Sequence, residues 1–415
     1  QNPTVLNPFA EIDYKRSGGH DSYNALQMTL ARRFNSGVTL LQGGATQPNL
    51  LANGFASFML GLPDQVGRAI FTTTPTNRTT HLFFFGQDTW QVTKKLTLNL
   101  GLRYEIYTPI TSRLAGGQGN YDPETNNLLV AGVGGVGLSA GVKTDYNNWA
   151  PRLGFAYRFG DKDRNVIRGG VGISYFTARF GFTGGTLSTS FPVIADQTVG
   201  VTGDFKADGT FTTIPAFTPV PIPSNGIINP APNIGLFAIP ANNPLPMVVS
   251  YNLTAQREVF KNTSVELSYI GNRGFNQPFN RQLMVSQPGA GLAGVPLFQK
   301  FGRTATATLR AFGVDSFYNA LQTSLQRRFS GGLALTASYT FSRSIDYTSN
   351  NGALNNPLIL EYNKGLSDFD RKHIVSFSHT YELPIGRGHK YLSKGLGAVV
   401  LGNWQLNGIL SAYTG

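Results

Sequence analysis

The stretch that decides the fold is Leu96–Ile106, LTLNLGLRYEI. Its apolar side chains occupy every second position, namely Leu96, Leu98, Leu100, Leu102, Tyr104 and Ile106. The positions between them carry Thr97, Asn99, Gly101, Arg103 and Glu105. Because successive side chains of a strand point to opposite faces, this pattern predicts a strand with one apolar and one polar face. Its length matches the roughly 9–11 residues that a tilted strand needs to cross a bilayer, whereas ordinary strands have about 5–6.

The composition combines little charge with no long apolar run. Only 13% of the 415 residues are charged, which is about half the usual share of a soluble domain. The mean hydropathy is −0.12, and no run of about 18 apolar residues occurs, so helical membrane spans are not expected. Strands that give half of their side chains to lipid and half to a polar lumen produce this combination. The sequence therefore predicts an all-β fold, an antiparallel transmembrane β-barrel extending over residues 1–415.

The same alternation recurs along the chain, and the connections between the strands are asymmetric. Alternating segments cover 151–159, 167–175, 249–256, 264–269, 333–342 and 375–383. Short polar turns separate several of them, whereas long connections are expected near 108–148, 177–246 and 274–312. Such loops are uncommon inside compact soluble domains but are expected on the extracellular side of an outer-membrane barrel. We count about 12–14 candidate strands.

Four charged residues fall on the predicted polar faces of these strands: Arg103, Glu105, Arg168 and Glu266. A charge on the lipid face of a barrel is costly, so these side chains are expected to face the lumen. They either pair with one another in the barrel interior or take part in the passage of a substrate. The six apolar residues of 96–106 are expected to face lipid.

No motif for catalysis or metal binding is present in the sequence. There is no cysteine, and the five histidines lack the spacing HxxEH or HExxH of a metal site. No GxSxG elbow or P-loop occurs either, so we expect no enzyme, no catalytic residue, no metal and no cofactor. The net charge is +12, but the basic residues are scattered, which argues against nucleic acid as a partner. The surplus basic residues are expected in solvated loops or in contact with anionic lipopolysaccharide.

One short sequence unit occurs twice. Tyr23–Gln27, YNALQ, is repeated at Tyr318–Gln322, and each copy is followed by Arg-Arg-Phe. Taken alone, the apolar spacing of the first copy also suits a short helix. The second copy continues into the alternating segment at 333–342, which favours a hairpin for both copies.

These residues resemble a known family. Gly86–Thr93, GQDTWQVT, followed by Leu96–Glu105 resembles the barrel hairpin of TonB-dependent receptors, and it is most similar to the Oar-like group of Acidobacteria and Myxobacteria. Supporting segments are Ala150–Phe155, Tyr381–Gly388 and Phe58–Pro63. The resemblance implies a 22-stranded barrel in the bacterial outer membrane, with an internal plug and with energy supplied by the TonB complex. No plug or TonB-contacting box is recognisable, so we expect a partial barrel, with the TonB complex as a partner only if a plug precedes it.

Three functions remain open at this point. The first is the barrel portion of a TonB-dependent receptor that moves a solute, glycan or polypeptide across the outer membrane. The second is a passive pore or structural barrel, and the third is a secreted soluble β-sandwich adhesin. In the first two cases the partners are outer-membrane lipid, lipopolysaccharide and an unknown substrate.

Overall fold

A computed structural model describes residues 38–41, 65–160, 164–177, 184–200, 219–349 and 352–414. The chain divides into two compact units, residues 1–68 with 198–214 and residues 69–197 with 215–415. In the first unit, the strand Val38–Leu41 pairs antiparallel with the beginning of the strand Gln65–Phe71. The early YNALQ unit and the Phe58–Pro63 segment lie outside the described residues. The large sheet and its connections, apart from residues 198–214, belong to the second unit.

Ten long antiparallel strands follow one another in chain order across one sheet, which we call the wall. They are β1 (His81–Gln91), β2 (Leu96–Tyr107), β3 (Trp149–Phe159), β4 (Asn165–Tyr175), β5 (Met247–Phe260), β6 (Thr263–Gln282), β7 (Ala307–Ser330), β8 (Leu333–Asp346), β9 (His373–Glu382) and β10 (Gln405–Tyr413). Two short strands, Leu236–Ala238 beside β7 and Gly365–Leu366 beside β8, complete a sheet of twelve. Among the described residues this sheet is open, with β1 and β10 at its edges. The predicted all-β, antiparallel fold is confirmed.

The connections differ at the two ends of the wall. At one end the connections are short, namely 92–95, 160–164, 261–262 and 331–332. In the tightest of them Asn262, Gly331 and Gly332 have φ values of 64°, 62° and 80°, a left-handed conformation that two-residue hairpins require. At the other end, the connections span 108–148, 176–246, 283–306 and 347–372. The connection 383–404 is an exception, because it is long and lies at the short-turn end.

The third long connection is shorter than the sequence predicts. A loop was expected over 274–312, but β6 continues to Gln282 and β7 already begins at Ala307. Glycine and proline in this stretch resemble turn signals, yet the register of the β6–β7 pair shifts between Gly274 and Pro278, and the two strands then continue. A β-bulge accommodates such residues without ending a strand. The extended part is held by packing of Phe279 against a small core.

The long connections carry short elements of their own. Their strands are Thr111–Ser112, Gly119–Asp122, Asn127–Val130, Ile194–Gly200 and Ile227–Ile228, and Thr111–Ser112 pairs with Asn77–Arg78, which precedes β1. Their helices are Gly184–Ser188 and Pro296–Phe301, with 3-10 turns at Leu292–Gly294 and Leu360–Asn363, and a further helix, Gly395–Val400, precedes β10. No helix in the described ranges is both long and apolar enough to cross a membrane.

Candidate functional site

The apolar face of the wall carries exposed leucines, whereas its polar face combines buried side chains with exposed ones such as Asn99 and Asn252. On the apolar face, Leu102 and Leu253 are 47% and 54% exposed. On the polar face, Glu105, Thr254 and Ser268 are buried, with at most 6% exposure. The two hydrophobic cores found in the described residues lie among the long connections and the extended ends of β6 and β7, and they contain no leucine of 96–106. An apolar face that no protein covers is stable only against an apolar solvent.

The residues predicted as an apolar stripe share that exposed face. Leu98, Leu100 and Leu102 lie opposite Phe155, Leu153 and Pro151 of β3. Across the other ladder Leu100 lies opposite Asp88 of β1, a carboxylate on the apolar side that the alternation argument missed. Only the register of the β1–β2 pair places Asp88 on the apolar side, because the β1 segment carries aromatic residues on both of its faces.

The structure brings the first two charged candidates together on the polar face. The guanidinium of Arg103 lies 2.7 Å from the carboxylate of Glu105 and 4.5 Å from the centre of the Phe83 ring. The hydroxyl of Tyr107 donates a hydrogen bond of 2.6 Å to the second carboxylate oxygen of Glu105. The side chain of Glu105 is 4% exposed, so its charge is satisfied almost wholly by protein groups.

The other two candidates form a second, separate pair. Arg168 Nη2 lies 2.7 Å from Glu266 Oε2, and Ser268 donates to the other oxygen of Glu266 at 3.2 Å. Arg168 is level with Thr97 at the short-turn end, because both lie opposite Ala156 of β3. Arg103 is six residues further along β2. The polar face therefore carries one ion pair near each end of the wall.

A tyrosine–asparagine cluster on the apolar face includes Asn319 of the second YNALQ copy, which lies in β7. The hydroxyls of Tyr251 and Tyr269 donate hydrogen bonds of 2.9 and 2.8 Å to Asn319 Oδ1. Gly271 lies opposite both Tyr251 and Asn319, and a Cβ there would come within 2.3 Å of the Tyr251 ring. The glycine thus leaves room for a ring that covers the backbone. Tyr318–Gln322 is strand, as the hairpin interpretation predicts for this copy, whereas the helix alternative concerned the first copy, which lies outside the described residues.

Three of the long connections, 108–148, 176–246 and 283–306, form one folded layer around a buried arginine. Arg303 is fully buried, its guanidinium lies 5.3 Å from the Tyr121 ring centre, and it donates to the carbonyl oxygens of Pro230 and Ile234. These partners come from two connections, 108–148 and 176–246, and Arg303 itself lies in a third, 283–306. Burial lowers the pKa of the Arg303 guanidinium and raises the pKa of the Tyr121 phenol. A core of Leu128, Val130, Ile228, Leu236 and Leu297 surrounds the pair.

A cavity of about 180 Å³ lies where this loop layer meets the ends of β1 and β2. His81 and Tyr107 line it from the wall, and Lys143, Asp145 and Asn243 line it from the connections. Tyr107 also bonds Glu105, so the cavity adjoins the Arg103–Glu105 pair. Sequence reasoning missed it, because its lining comes from connections that are far apart in the chain. No group of three or more potential metal ligands occurs in the described part of the chain.

Three comparisons with known proteins bear on this architecture. A family model described as "Outer membrane beta barrel domain" matches residues 40–415. Solved structures similar to the chain include the ferripyoverdine receptor of Pseudomonas aeruginosa, with 11% identity, a TM-score of 0.36, and 74% of this chain and 26% of that chain covered. The alcaligin receptor FauA of Bordetella pertussis has 12% identity and a TM-score of 0.36, and the match covers 86% of this chain and 39% of that chain. The siderophore receptor PiuA of Acinetobacter baumannii has 13% identity and a TM-score of 0.34, and the match covers 77% of this chain and 32% of that chain.

The chain spans about a quarter to two fifths of the length of these solved structures. A comparison with curated protein sequences gives no significant match. The family model covers nine tenths of the sequence, including every strand of the wall. The chain therefore belongs to the outer membrane beta barrel domain family, which places it in the bacterial outer membrane.

Proposed function

We propose that this chain is the barrel portion of a TonB-dependent receptor that moves a solute, glycan or polypeptide across the outer membrane. The observation that carries the proposal is the exposed apolar face of the wall, combined with a charged group buried on its polar face. Leu102 and Leu253 are open to the surroundings while Glu105 is buried. A wall of this kind separates lipid from a polar interior, and a polar interior is a route for polar molecules. The hairpin GQDTWQVT…LTLNLGLRYE, at 86–105, supports the receptor class through its resemblance to that family.

We assign the four charged candidates to the lumen and the six apolar residues of 96–106 to the lipid side. Each of the ion pairs Arg103–Glu105 and Arg168–Glu266 has no net charge. The passage is therefore polar at the positions of these pairs, but they give it no strong electrostatic field of one sign. The long connections are the extracellular side in this assignment, as is usual for outer-membrane barrels. A substrate arriving from outside would first meet the loop layer and the cavity beside His81 and Tyr107.

The facing of the wall can be tested by chemical labelling, because the natural sequence contains no cysteine. Asn99 and Leu100 are neighbours on opposite faces of β2, and both are exposed. In intact outer membranes, we expect a charged maleimide to label Asn99→Cys rapidly and Leu100→Cys hardly at all. Equal labelling of the two variants would refute the assignment of faces, and labelling of Leu100→Cys alone would invert it.

The transport class needs a second experiment on the full gene product. A passive pore predicts a steady, large conductance in planar bilayers with potassium chloride as the probe. A plugged receptor predicts silence under the same conditions and conductance after the plug segment is deleted. A soluble adhesin predicts recovery in the soluble fraction without detergent. Steady conductance with any upstream segment present would contradict the receptor proposal and favour the passive pore.

A further inference from the structure

The cavity beside His81 and Tyr107 has an apolar floor. Leu187, Ile239 and Leu245 line it and are only 1%, 5% and 9% exposed. The volume of the cavity is about 180 Å³. An apolar cavity of about 150 Å³ is large enough to bind benzene. The floor therefore accommodates a compact apolar group, about as large as the side chain of leucine or phenylalanine.

Two charged residues of the connection 108–148, Lys143 and Asp145, line the same cavity. They carry opposite charges, yet neither takes part in an ion pair among the residues that the structure describes. The wall differs in this respect, because Arg103 and Arg168 each lie 2.7 Å from a carboxylate oxygen. The cavity therefore has a cation and an anion that do not neutralise each other, and both charges are available to a ligand.

The backbone that carries these two charges is held in place. The N–H of Lys143 donates to the carbonyl oxygen of Ala241 at 2.8 Å, and Asp145 forms a β-bridge with the end of β2. The two carboxylate oxygens of Asp145 accept the N–H groups of Asn147 and Leu245 at 3.0 and 3.1 Å. These bonds fix the carboxylate, and each oxygen keeps a further lone pair for a ligand. The charged part of the cavity is thus formed in advance of binding.

A third polar group is the side-chain amide of Asn243, which lines the cavity from the connection 176–246. Its oxygen accepts the backbone N–H of Phe312 at 2.9 Å, so the amide is fixed and its nitrogen is the atom that remains to donate. Asn243 and Lys143 can both donate to a carboxylate of a ligand, whereas Asp145 can accept from an ammonium group. The cavity thus combines an apolar floor, donors for an anion and an acceptor for a cation.

We propose that this cavity is a binding site for a free α-amino acid with an apolar side chain. The side chain occupies the floor, the carboxylate binds Lys143 and Asn243, and the ammonium group binds Asp145. Lys143 and Asp145 are two residues apart, so their Cα atoms lie within about 7 Å of each other, and the two charges of the ligand must also be close together. An α-amino acid carries both charges on one carbon atom. The role of this site as the entrance of the passage rests on the proposed function.

The test uses the detergent-purified full-length protein and L-leucine as the probe, with binding measured by isothermal titration. Three analogues each lack one feature of leucine: 4-methylpentanoate lacks the ammonium group, 3-methylbutylamine lacks the carboxylate, and glycine lacks the side chain. The variant Lys143→Gln removes the cation of the cavity and should fold normally, because Lys143 is exposed. The matched control Arg113→Gln removes an exposed cation of the same connection that does not line the cavity.

We expect each analogue to bind about tenfold more weakly than leucine, because each loses one of the three contacts. Lys143→Gln should weaken the binding of leucine about tenfold and leave that of 3-methylbutylamine unchanged, whereas Arg113→Gln should change neither. The inference is overturned if leucine shows no saturable binding, if any analogue binds as tightly as leucine, or if the two variants have the same affinity for leucine. These outcomes leave the proposed function standing, since the maleimide labelling of Asn99→Cys and Leu100→Cys tests it separately.

Discussion

Replacing Leu253 by arginine tests the membrane assignment at the middle of the wall. Leu253 lies between Gly169 of β4 and Tyr269 of β6, and no carboxylate lies directly opposite it to pair with a new cation. An arginine at the bilayer midplane of a barrel costs about 2–4 kcal/mol. Since 1.4 kcal/mol is a factor of ten, we expect the ratio of folded to unfolded protein to fall by a factor of about 30 to 700.

The neighbouring residue supplies the matched control. Asn252 is also exposed but lies on the polar face, opposite Gly170 and Ile270. Asn252→Arg should therefore change the free energy of unfolding by no more than about 0.5 kcal/mol. Both variants are unfolded with urea in phosphatidylcholine vesicles, and the fluorescence of the three tryptophans reports the transition. If the two arginines cost the same, or if Leu253→Arg is harmless, the apolar face does not contact hydrocarbon and the reasoning fails.

Three further outcomes follow from the geometry. Arg303→Met leaves the Pro230 and Ile234 carbonyl oxygens without their donor, so we expect the loop layer to lose about 3 kcal/mol. Hydrogen exchange should then accelerate in that layer and not in the wall, and uniform acceleration would contradict a local role. Gly271→Ala pushes a Cβ into the Tyr251 ring and should cost about 1–3 kcal/mol in thermal unfolding, whereas Gly86→Ala, which meets nothing within 4 Å, should cost far less. Arg168→Gln breaks a pair whose side chains are 49% and 32% exposed, so stability should fall by less than about 1 kcal/mol. The reversal potential across a potassium chloride gradient should nevertheless shift towards cation selectivity, and an unchanged potential would argue against a lumen position.

Much of the wall is predictable from sequence because one local rule governs it. Period-two alternation assigns Leu96–Ile106 to two faces without any knowledge of neighbouring strands, and the register confirms which residues share a face. Sequence reasoning fails where a partner strand decides the outcome. Asp88 lies on the apolar side because of its place opposite Leu100, and the strands continue through 274–282 because a bulge and packing override the local turn signals.

The loop layer was beyond sequence reasoning for a different reason. Arg303 is an ordinary basic residue in a glycine- and proline-rich connection, and nothing local indicates that it is fully buried. Its partners Tyr121 and Ile234 are far away in sequence, so only the folded chain brings them together. No periodicity marks such a core, since its residues come from irregular backbone. The cavity beside His81 was not predictable for the same reason.

The wall and the loop layer obey opposite rules of burial, and this difference locates the boundary between two solvents. In the loop layer apolar residues such as Leu128 are buried and a lone cation, Arg303, is held by carbonyls and a ring, as in any protein folded in water. In the wall, a few strand residues away, Leu253 is exposed and Glu105 is buried. The tyrosines that donate to Asn319 lie where one rule gives way to the other. One chain can satisfy both rules only if hydrocarbon surrounds the wall and water surrounds the loops. In the proposed orientation, the change of rule along β6 and β7 would mark the outer surface of the membrane.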